Sequence, residues 1–207
     1  MNVDAATDLF LSLTPDKVLE AVEAGGFRCN PVCYTLNSFE NRVYEIELED
    51  DTRLVAKFYR PNRWTREQIL EEHQYLSDLE AAEVPVCGVL PFPDGTTIKR
   101  IDHIYYSLFP RRGGRAPDEL SDSQVERLGM FAARLHNVGN QSQATHRIRL
   151  CPDTYIRNNL GWLQENNVVP ERLWDRYSNA ATQLADITDK RMQGVSVQRI
   201  HGDLHLG

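Results

Sequence analysis

One carboxylate, Asp203, sits between two imidazoles in the closing segment His201-Gly202-Asp203-Leu204-His205-Leu206-Gly207. The apolar run 195–200 precedes it and reads as a strand that empties into this loop. A carboxylate fixed at a strand end, and aimed by its loop, can accept the proton of an incoming hydroxyl. The same His-x-Asp-x-His pattern also permits a metal site, though alternate side chains share a side only if the loop stays extended. No second ligand cluster stands out; His136 and His146 are isolated. The other reading of His201 and His205 is that they brace the loop by bonding to backbone. The segment stops at Gly207, so the chain reads as one cut inside its own active site.

A cation is the second candidate. Lys57 lies in Leu54-Val55-Ala56-Lys57-Phe58, a strand-like run. It either snorkels at a sheet edge or aims its ammonium at phosphate oxygens. The second role needs an acidic partner to hold it. At 100° per residue, Ile69, Glu72, His73, Leu76 and Leu79 share one face of the helix that follows. Glu72 is then a carboxylate on the packing face, where an unpaired charge is costly. Its alternatives are a pair with Lys57 or a boundary position in solvent. Between two strands, Asn37-Ser38-Phe39-Glu40-Asn41-Arg42 has no glycine. Its amides and the Ser38 hydroxyl could cap a phosphate, or it is a plain hairpin loop.

The elements that must hold these groups change character along the chain. Thr14-Pro15-Asp16 reads as a helix start and Gly25-Gly26 as its end. Strands are expected over 32–36, 42–49, 53–59, 86–90 and 103–109, with turns at 49–51 and 93–95. Thr65-Arg66-Glu67-Gln68 resembles a capping box opening a helix to about Leu79. From Ser121 the pattern is helical, with Val125, Leu128, Gly129, Ala132 and Leu135 on one face, and further helices over 153–164 and 170–192. The reading is an α+β chain of two lobes: residues 1–110 around a sheet with one long helix, and residues 111–207 helical. A linker near 109–115 joins them.

Composition narrows the function classes. The 207 residues are 41% hydrophobic and 26% charged, enough to bury a core. A formal charge of −7 disfavours nucleic acid as the main partner. No run approaches the ~20 apolar residues of a membrane span, and the N-terminus has no secretory pattern. Cys29, Cys33, Cys87 and Cys151 fit no common zinc spacing and read as reduced, mostly buried thiols of a cytoplasmic protein.

In combination the pieces resemble a known family. Val55-Ala56-Lys57 in a strand, Glu72 on the next helix, an aromatic linker strand, a helical lobe and Ile200-His201-Gly202-Asp203-Leu204-His205 follow kinase order. The closing motif is similar to the aminoglycoside phosphotransferase and choline kinase-like family. Residues 36–44, 55–61 and 68–74 resemble a bacterial branch of it, cytoplasmic serine/threonine kinases implicated in stress protection. The resemblance implies a bilobal protein-kinase-like fold with an antiparallel N-lobe sheet and a helical, incomplete C-lobe. It implies ATP and Mg2+ as donor and metal, and a protein serine/threonine or a small-molecule hydroxyl as acceptor. Asp203 would be the catalytic base, and Lys57, steadied by Glu72, would hold the phosphates. Ser38, with Asn41 beside it, would contact nucleotide in the phosphate loop. Leu108, Phe109 and Pro110 would form the hinge for adenine. The family's asparagine and aspartate metal ligands would lie beyond Gly207, so no metal ligand is expected in this chain. Little activity is expected of it alone. A non-catalytic nucleotide-binding or interaction module is the rival of a different class.

Overall fold

A computed structural model of the chain describes residues 10–114 and 117–204. The first helix, α1 (Pro15–Ala24), begins where Thr14 accepts the Lys17 N–H and proline takes the first turn, where no donor is needed. Val18, Ala21 and Val22 form its buried face. Five strands follow: β1 (Cys29–Leu36), β2 (Arg42–Leu48), β3 (Arg53–Phe58), β4 (Lys99–Ile101) and β5 (Ile104–Pro110). They form one antiparallel sheet in the order β1-β2-β3-β5-β4. Pro31 is tolerated in β1 because that strand is an edge and its register shifts between Cys29 and Cys33. Between β3 and β4 comes α2 (Arg66–Ala81), opened by the expected capping box of Thr65 and Gln68.

Alternation gives the sheet two unlike faces. Tyr44, Ile46, Leu54, Ala56, Phe58, Tyr106 and Leu108 are buried on one, together with the apolar side of α1 and Phe92. The Phe58 and Tyr106 rings stack 5.3 Å apart, and Tyr44 meets Phe58 edge-on at 5.9 Å. The opposite face carries α2: Tyr59, Ile69 and Ile98 form a smaller cluster there, with Tyr105 packed against it.

The later helices are α3 (Asp122–Gly139), a π-helical stretch (Asp153–Arg157) continuing into α4 (Asn158–Glu165), and α5 (Glu171–Met192). The chain divides into two compact units, residues 1–144 with 199–207, and residues 145–198. Helix α3, expected with the second lobe, falls in the first unit. It is tied to α2 by Tyr75 Oη donating to the Leu135 carbonyl at 2.8 Å, and to the turn just after α2 by Arg134 donating to the Glu83 carbonyl at 2.8 Å. In the other unit Arg157 joins Asp153, Asp186 and Asp189 at 2.7–2.9 Å, which ties the π-helical stretch to α5.

Three local expectations need correction. Residues 86–90 are not a strand: Pro85 and Pro91 bracket them, and Leu90 alone makes an isolated bridge to Leu108. Residues 195–200 are not a strand either. Arg199 N–H is directed at the Gly139 carbonyl at 3.4 Å, at a helix end rather than a sheet edge. Val195, Val197 and Ile200 are exposed. Finally, the cysteines are not mostly buried: Cys87 is exposed, and Cys29, Cys33 and Cys151 are half-buried.

Candidate functional site

Cross-strand partners point to the same side of a sheet, so register decides which side chains share a site. Lys57 pairs with Val43 on one side and Ser107 on the other. Two residues earlier, Val55 pairs with Glu45 and Phe109. Val43, Glu45, Val55, Lys57, Ser107 and Phe109 therefore occupy the face that α2 partly covers. Of the three expected hinge residues, only Phe109 presents its side chain there. Leu108 is fully buried in the core on the other face, its carbonyl accepting the Leu90 N–H at 2.7 Å, and Pro110 follows the same alternation.

Lys57 and Glu72 meet. The ammonium nitrogen lies 2.9 Å from Glu72 Oε1, and both side chains are about one quarter exposed. The ammonium also lies 4.7 Å from the Tyr59 ring centre and 5.9 Å from that of Phe109. The rings supply negative π faces to the cation, while the partial exposure leaves room for an anionic ligand. Next to Glu72, buried His73 fixes the helix. Its Nε2 lies 3.2 Å from Tyr59 Oη and its Nδ1 2.8 Å from Thr97 Oγ1. Burial pulls the imidazole pKa down to about 4, with Glu72 opposing and Lys57 reinforcing the shift.

At the other end of this face lies a second charge cluster. Glu45 Oε1 accepts from Arg53 at 2.8 Å, and its Oε2 accepts from Arg111 at 3.1 Å. Those hydrogen bonds, the Arg53 one foremost, hold the Glu45 carboxyl below its ordinary range. Arg111 is the first residue past β5, so the cluster anchors the chain where the linker begins. Sequence reasoning missed it. The signal was there in part: a hairpin turning at Asp50-Asp51 sets Glu47 opposite Arg53, but Arg111 enters only through the β3–β5 register.

The β1–β2 loop is braced by its own residues. Ser38 Oγ accepts the Asn41 N–H at 3.3 Å, and Asn41 Oδ1 accepts the Arg60 N–H at 3.4 Å. The Asp203 loop belongs to the same compact unit as Lys57. Asp203 donates its N–H to His201 Nδ1 at 3.2 Å, so His201 braces the loop that carries the carboxylate. His205 lies outside the described residues. Among the described residues there is no group of three or more His, Cys, Asp or Glu side chains that could hold a metal ion. Two cavities of about 240 and 350 Å3 lie within the unit 145–198, and no expected site residue lines either.

Residues 35–207 match the phosphotransferase enzyme family. Stress response kinase A of Escherichia coli K12 is 36% identical across the whole chain, which spans 62% of that protein's length. The serine/threonine protein kinase RdoA of Salmonella typhimurium LT2 is 34% identical, again over 62% of its length. Among solved structures, amicoumacin kinase bound to AMP-PNP, Ca2+ and amicoumacin aligns with a TM-score of 0.65 at 16% identity, covering 88% of this chain and 55% of that one. Spectinomycin phosphotransferase bound to ADP and spectinomycin aligns with a TM-score of 0.61 at 13% identity, covering 93% and 63%. These likenesses and the antiparallel sheet show an α+β fold of the protein-kinase-like kind.

Proposed function

The chain belongs to the phosphotransferase enzyme family, and on that premise we propose that it forms the ATP-binding part of a kinase. The observation that carries the reading is the Lys57–Glu72 pair on an open sheet face. Glu72 holds the ammonium against a face lined by Val43, Val55 and Phe109, so that the cation meets the phosphates of a nucleotide whose base lies toward β5. Lys57 neutralises phosphate charge there. Ser38 and Asn41 belong to the loop above the phosphates. The hinge contact comes from the Phe109 ring and from main-chain groups at 108–110.

Asp203 acts as base. The acceptor hydroxyl oxygen forms its bond to the γ-phosphorus as the bond to ADP breaks, and the hydroxyl proton passes to the Asp203 carboxylate. A divalent ion, when bound, supplies further charge neutralisation. The names of the 34–36% identical relatives support a serine or threonine hydroxyl on protein, in stress response, as the acceptor. The ligands of the structural neighbours favour a second reading, a small-molecule hydroxyl.

The test uses full-length protein carrying this chain, labelled ATP, and either a generic protein substrate or a panel of small hydroxyl compounds. Protein labelling that disappears in Asp203→Ala, with ATP binding retained, is the expected result. Labelling of small molecules alone would move the acceptor class. Turnover near wild type in Asp203→Ala would remove the base assignment.

A further inference from the structure

Arg199 lies four residues before Asp203 and is almost buried, its side chain 11% exposed. Its guanidinium carbon sits 4.2 Å from the centre of the Tyr75 ring, and Nη2 lies 2.9 Å from Asp78 Oδ2. Nε and Nη2 point at the carbonyls of Gly139 and Val138, each at 3.5 Å. Tyr75 and Asp78 belong to α2, three and six residues beyond Glu72. The end of α3 closes the third side. There a side chain on Gly139 would place its Cβ 2.3 Å from the Arg199 carbonyl oxygen and 2.7 Å from the Tyr75 hydroxyl, so only glycine admits this approach.

One planar cation thus joins the helix that holds Glu72 to the segment that carries Asp203. A lysine would keep the charge but lose the stacked plane and the fork toward the carbonyls. We propose that Arg199 is a positioning residue, setting Asp203 relative to the Lys57–Glu72 pair, so that it governs the transfer step and not nucleotide affinity. The proposal rests on the phosphotransferase reading of Asp203 and Lys57. An error of about 1 Å in placing a reacting group costs up to about a hundredfold in rate. The cation is remote in sequence from Lys57, and its guanidinium is directed at Asp78, Tyr75 and the carbonyls of Val138 and Gly139.

The experiment compares Arg199→Lys, Asp78→Asn and Asp203→Asn with wild type in full-length protein, reading kcat, KM for ATP and melting temperature. Arg199→Lys is expected to lower kcat about tenfold or more, with KM for ATP within about twofold and melting close to wild type. Asp78→Asn keeps the stack over Tyr75, loosens the same clamp, and should lower kcat in the same selective way. If Asp203→Asn abolishes turnover while both clamp variants keep wild-type kcat, the Arg199 proposal falls alone. If Asp203→Asn leaves turnover intact, the base assignment falls and takes the proposal with it. Loss of folding in both clamp variants, or a parallel fall in kcat and ATP affinity, would make Arg199 a purely structural residue and overturn the proposal.

Discussion

The Lys57 ammonium and the Glu72 carboxylate meet at 2.9 Å across the interface of β3 and α2, with the Tyr59 ring 4.7 Å from the cation. Both groups keep contact with water, so the pair stabilises the fold by no more than about 1 kcal/mol. In the proposed site its value lies in the phosphate it would receive. A charge-assisted hydrogen bond to phosphate contributes about 1.5–3 kcal/mol, roughly a ten- to hundredfold change in affinity. Lys57→Met should therefore weaken nucleotide binding at least about tenfold while urea denaturation shifts by less than about 1 kcal/mol. Glu72→Gln should give a smaller loss, because the cation stays but its tether weakens. Titration calorimetry with a non-hydrolysable ATP analogue measures both.

His73 makes the fold acid-sensitive. Its pKa lies near 4 in the folded chain against 6.5 when unrestrained, so between those values the unfolded chain binds the extra proton. The stability it contributes is complete above about pH 6.5 and is lost as pH falls toward 4, by roughly 3 kcal/mol over the whole window. Chemical denaturation at pH 7 and pH 5 should show this decline. His73→Gln should flatten it, since an amide does not titrate. An equal decline in the variant would place the sensitivity elsewhere.

Ser107 stands opposite Lys57 in the sheet, fully buried, with a hydroxyl that has no hydrogen-bond partner among the described residues. Leaving a buried hydroxyl unsatisfied costs about 1–3 kcal/mol. Ser107→Ala removes that cost and leaves a cavity of only one oxygen. The variant should melt a few degrees higher than wild type, a shift that differential scanning calorimetry resolves.

Local signals in the chain were readable where a short stretch decides its own conformation. The Thr65–Gln68 capping box and the Thr14-Pro15 start need only a few neighbouring residues, and helical spacing alone put Glu72 on the packing face of α2. Features that depend on distant partners were not. Strand β4 has three residues, too few for any periodicity. The run 195–200 has strand-like composition, yet a strand exists only beside another, and Arg199 bonds instead to the end of α3. For the expected hinge at 108–110, the sequence does not say that alternation turns Leu108 into the core. Arg199 and Arg111 look like surface cations until the register and the Gly139 approach are known.

The attachments of α2 have a dynamic consequence. Thr65 closes its first turn, Glu72 and His73 fasten its middle to the sheet and to Thr97, and Tyr75 and Asp78 secure its later turns to α3 and residue 199. A rod fastened at each turn cannot swing in and out as an on–off device without breaking several bonds at once. The acidic tether is preorganised before any ligand arrives, and binding requires little ordering. Amide hydrogen exchange over residues 66–81 should accordingly be slow in the free protein and nearly unchanged when nucleotide is added.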